Sequence, residues 1–70
     1  MRLNVRRERI KLQIKKHLLA LGRVYEGTLY GYVSYYPRPE IAEAISELAQ
    51  EGFLVRHEEQ DQATTLELTK

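Results

Sequence analysis

Apolar residues recur at three- and four-residue steps from residue 5 to about 21 and again from about 39 to 51, and from 53 onward they alternate. The first rhythm is that of helices and the second that of strands. The run VRRERIKLQIKKHLLALG predicts a helix over about 5–21, with Asn4 as its N-cap and Gly22 as its end. Ile10, Ile14, Leu18 and Leu21 fall within a sector about 80° wide, which suits a face turned to the core. Val5, Leu12 and Leu19, seven apart, form a second apolar stripe roughly opposite. A helix apolar on two sides is either sandwiched between elements or shared with a second chain.

The segment RVYEGTLYGYVSYYPRP is less regular. Thr28 can cap a short helix over about 28–34, in which Leu29 and Val33 share a face and Gly31 is a weak point. Pro37 and Pro39 end it, since proline lacks a donor and restricts its predecessor. Residues 23–27 can instead hold a short extended piece, because Val24 and Tyr25 favour strands.

Pro39 suits the first position of a further helix over about 39–51, with Glu40 in its first turn. Ile41, Ile45 and Leu48 line its apolar face, and Glu43, Ser46, Glu47 and Gln50 the opposite one. Gly52 terminates it. FLVRHEE and TTLELT then read as two strands of a hairpin over about 53–69, turning at QDQA, with Leu66 and Leu68 on one side. The fold class is α+β, mainly α, in one domain over 1–70 without repeat or linker.

The chain's 70 residues lie near the lower end of what buries a self-sufficient core, so a dimer interface is a natural source of added stability. It has no cysteine, which excludes disulfides and thiol chemistry. There is no apolar run of membrane-spanning length and no signal peptide, so a soluble, cytoplasmic protein is expected. A net charge of +1 conceals two opposed halves: residues 1–23 sum to +7 and residues 39–62 to −6. One end is built to meet anions; the other repels them or meets cations.

The order helix, short helix, helix, hairpin resembles a winged helix-turn-helix domain. Ile41, Ile45, Leu48 and the Glu51-Gly52-Phe53-Leu54-Val55 step carry the resemblance, which covers nearly the whole chain. It implies double-stranded DNA as partner, with the third helix in the major groove and the hairpin tip on phosphate. Carried over by position, the groove-facing residues are Glu43, Ser46, Glu47 and Gln50, with Arg38 where the helix begins, and the tip is Glu59 to Gln62. This departs from the family habit. Glutamate can accept a hydrogen bond from cytosine and glutamine can read adenine, but four glutamates between 40 and 51 carry charge of the wrong sign for phosphate.

The grip would have to come from elsewhere. Arg6, Arg7, Arg9, Lys11, Lys15 and Lys16 on the first helix are the candidate cations, and Tyr35 and Tyr36 offer neutral hydrogen bonds to phosphate. Of the five tyrosines, two or three are expected to pack with the core and the rest to face an interface. Each charged face also has a plainer reading as a solvated surface. His17 and His57 lack metal-ligand spacing, His17 reads as a boundary residue beside Ile14 and Leu18, and no nucleophile with its base is visible. The expectation is therefore a DNA-binding regulator with no cofactor, metal or enzymatic activity, acting as a homodimer through Val5, Leu12 and Leu19. The alternative is an interaction module whose acidic third helix and hairpin meet a basic protein partner.

Overall fold

The computed structural model describes residues 5–69, so the expected cap at Asn4 lies outside the described residues. It is a helix-rich α+β arrangement of three helices and a three-stranded antiparallel sheet, in the order α1 (Val5–Leu21), β1 (Arg23–Tyr25), α2 (Glu26–Tyr32), α3 (Arg38–Gln50), β2 (Leu54–His57), β3 (Thr65–Leu68).

Ile10, Ile14 and Leu18 are wholly buried on one face of α1. Leu21, expected to share that stripe, is instead half exposed. It lies in the last turn, beside the reversal at Gly22 (φ 75°), and the next inward position is filled by Val24 of β1. Val5, Leu12 and Leu19 are all more than half exposed, so none of the described elements covers them and the sandwiched reading of α1 does not hold.

The middle segment combines both expectations for it. Its extended piece is β1, and the helix that follows begins at Glu26 rather than Thr28. Tyr25 precedes α2 in extended conformation without a side-chain cap. None is needed at the first donor, because the Glu26 N–H donates to the Thr64 carbonyl at 2.8 Å. Sheet pairing thus takes the role expected of Thr28. Leu29 and Val33 are both fully buried, although α2 stops at Tyr32 and Val33 caps it.

Pro37 caps α3, so Pro39 occupies the second helical position rather than the first, where its missing donor still costs nothing. Ile41, Ala44, Ile45 and Leu48 are the buried face. At the far end the Phe53 N–H donates to the Leu48 carbonyl at 2.9 Å and the Gly52 N–H to Ala49 at 3.1 Å, with Gly52 at φ 83°. This closed C-terminal cap requires a left-handed residue, and glycine adopts it without strain.

The expected two-stranded hairpin is present but forms part of a larger sheet of order β1-β3-β2. β3 is the central strand, pairing Val24 with Leu66 on one side and Leu54 with Leu68 on the other. Val24, Leu54 and Leu66 point inward, and the sheet closes one end of the core against all three helices. In urea denaturation, Ile45→Ala should cost about 2–5 kcal/mol and Leu21→Ala no more than about 0.5 kcal/mol. Equal losses would contradict the assigned faces.

Candidate functional site

Glu40, Glu43, Glu47 and Glu51 recur every three or four residues, so they share one flank of α3. The structure turns that flank to α1. Arg6 Nε lies 2.8 Å from Glu40. The Arg7 guanidinium bridges Glu43 and Glu47. Lys11 Nζ lies 2.5 Å from Glu51, 3.4 Å from Glu47 and 3.5 Å from Glu8. The carboxylates that set this helix apart in sequence are therefore neutralised within the molecule by the other charged half.

Burial grades the pairs. Lys11 is only 5% exposed, and Arg7 is largely covered, whereas the glutamates keep much of their surface in water. The hydrogen bond from Lys11 to Glu51, helped by the charges of Glu51 and Glu8 and by a second hydrogen bond to Glu47, holds the ammonium above its usual 10.5 against the burial that would lower it. Lys11 is thus a cation inside the helix–helix contact and does not present its charge outward, contrary to its nomination for phosphate.

Two open grooves border the start of α1. One, of about 420 Å³, is lined by Arg7, Ala42, Glu43, Ser46, Glu47 and Gln50. The other, of about 450 Å³, is lined by Val5, Arg6, Arg9, Tyr35 and Tyr36. Residues from the start and the middle of the chain meet there because α1 packs along α3. The Tyr35 and Tyr36 rings lie 4.7 Å apart, tilted by 46°. Tyr36 packs on the core and Tyr35 stands out, two-thirds exposed. The five tyrosines divide as expected, with Tyr30 and Tyr36 on the core and Tyr25, Tyr32 and Tyr35 exposed.

The remaining nominated cations are scattered. Lys15 lies over the Phe53 ring at 5.4 Å, Lys16 is exposed on α1, and Arg38 covers the Tyr30 ring at 4.6 Å. Tyr30 belongs to a cluster that sequence reasoning missed. Its hydroxyl donates to Glu26 at 3.5 Å, and Glu26 accepts from Arg56 at 3.3 Å. Burial, then the Glu26 charge, push the Tyr30 hydroxyl above its usual 10.0, opposed by Arg38 and Arg56. Arg56 lies in a strand of otherwise ordinary pattern, and no local signal links it to Glu26, thirty residues away.

His17 stacks on Tyr32 at 4.9 Å, and His57 Nε2 lies 2.8 Å from Glu67. Among the described residues no group of three histidine, cysteine or carboxylate side chains converges as a metal site, and no helix is long and apolar enough to cross a membrane. No family model, curated protein or solved structure matches the chain.

The raised values of Lys11 and Tyr30 set a pH dependence. A group whose pKa rises on folding contributes in full below its unfolded value and loses that contribution as pH climbs through the folded one. Stability should therefore fall above 10.0–10.5 for these two groups. In urea titrations from about pH 8 to 11.5, Lys11→Met and Tyr30→Phe should each flatten that decline. Lys11→Met should stay within about 1 kcal/mol at neutral pH, since an apolar side chain of similar size replaces a cation largely removed from water. An alkaline limb unchanged in both variants would refute the assignment.

Proposed function

We propose that this chain is a winged helix that binds double-stranded DNA and serves as a small transcriptional regulator. The observation carrying the proposal is that nine nominated residues, Arg6, Arg7, Arg9, Tyr35, Tyr36, Glu43, Ser46, Glu47 and Gln50, line two grooves bordering the start of α1. They come from three separate segments of the sequence. On this reading one groove would meet base edges and the other phosphate.

The division of labour follows from chemistry. Gln50 and Ser46, exposed on α3, have the donors and acceptors to read base edges, and Glu43 can accept from cytosine. Arg7 and Lys11 offset the glutamates, which lowers the repulsion that α3 would otherwise meet at phosphate. Arg9 supplies charge to the backbone and the Tyr35 hydroxyl a neutral contact, while Arg6 offsets Glu40. The alternative, an acidic α3 that takes a basic protein partner, draws less support. Its carboxylates already hold Arg6, Arg7 and Lys11, so a partner would have to displace them.

Fluorescence anisotropy with duplex DNA at several salt concentrations tests the reading. Binding should weaken steeply with salt. Arg9→Glu combined with Tyr35→Ala should reduce affinity at least ten-fold and lower the salt slope by about one for each phosphate no longer neutralised. Gln50→Ala should relax sequence preference with little change in slope. Absence of salt-sensitive binding at micromolar protein would overturn the proposal.

A further inference from the structure

The outward face of α1 takes no part in the grooves beyond its first turns. Val5, Leu12 and Leu19 run along its centre, 56%, 55% and 65% exposed, directly behind the buried Ile10, Ile14 and Leu18. Their seven-residue spacing covers about 21 Å of helix, and it is the spacing by which one helix lays a seam against another. Arg9 and Lys16 flank this row on one side, both exposed and, among the described residues, without a carboxylate partner. On the other side stand Lys15, over Phe53, and Glu8, whose carboxylate already lies 3.5 Å from Lys11.

We infer that this face is a docking site for an acidic amphipathic helix. The partner would carry an apolar residue every seven positions and glutamate or aspartate beside that row, opposite Arg9 and Lys16. Charge complementarity selects it over a second copy of the chain. Two α1 helices packed antiparallel bring Arg9 against Lys16 on one flank, offset by Glu8 against Lys15 on the other, and two packed parallel bring Lys15 against Lys16, offset by Arg9 against Glu8; either way like-charge pairs remain that an acidic partner does not make. Like charges across a seam disfavour the pairing. A lipid surface fits less well, because a single apolar row hemmed by cations lacks the broad apolar sector of an interfacial helix. Nucleic acid would leave the row uncovered.

The experiment uses the whole chain and two synthetic three-heptad helical peptides. Both have leucine at seven-residue spacing; one has glutamates beside the row and the other lysines. The acidic peptide should bind, with amide shift changes centred on Leu12, Lys16 and Leu19, and the basic one should bind at least ten-fold more weakly. Leu12→Gln with Leu19→Gln should abolish the interaction while duplex DNA affinity stays within two-fold. Arg9→Glu with Lys16→Glu should reverse the preference toward the lysine peptide, a gain that an unfolded variant could not produce. The inference falls if both peptides bind alike, or if the shifts map away from α1. It falls equally if light scattering finds a dimer that Leu12→Gln with Leu19→Gln dissolves, or if the face binds only anionic vesicles.

Discussion

The contact between α1 and α3 is the constraint on which the rest depends. Its apolar layer, Ile10, Ile14 and Leu18 against Ile41, Ile45 and Leu48, contributes the association energy. The ionic row beside that layer adds less. Exposed pairs such as Arg6–Glu40 are worth roughly 0–1 kcal/mol. Their greater effect is on arrangement, because Arg7 and Lys11 can satisfy Glu43, Glu47 and Glu51 together only in one relative setting of the two helices. A shift by one turn past Glu51 would leave Lys11 with Glu8 alone, which is costly for a cation so little exposed.

Much of this was legible along the chain. The three helices, the glycine cap at 52 and the hairpin follow from period and turn chemistry, because each is fixed by residues close in sequence. β1 was visible only as one of two options for 23–27, since its formation depends on Thr65–Leu68, some forty residues away. The start of α2 was misplaced for the same reason: its first donor is satisfied by Thr64 and not by Thr28. Leu21 illustrates the opposite error, where periodicity continued past the point at which the helix still had something to pack against.

The charge segregation was the clearest sequence signal and the one whose meaning changed most. Read linearly, it suggested two faces turned outward toward different partners. Folded, a large part of each half cancels against the other, and Arg7 and Lys11, four apart, meet glutamates that are also four apart. That matched spacing was the available clue, and it needed the knowledge that the two helices touch. The charges left over, Arg9 and Lys16 above all, stay exposed on the outward side of α1.

The position of β3 has a consequence for how the domain is made. The central strand of the sheet is the one synthesised after its two neighbours, so neither β1 nor β2 has a ladder to join until residues 65–68 are available. The helices can pair earlier, because their contacts close within residues 5–51. Assembly then divides into a helical stage that needs only residues 5–51 and a sheet stage that waits for residues 65–68. Between the two, Val24 and Leu54 have no covering strand, and during that interval the molecule is most open to pairing with the wrong chain.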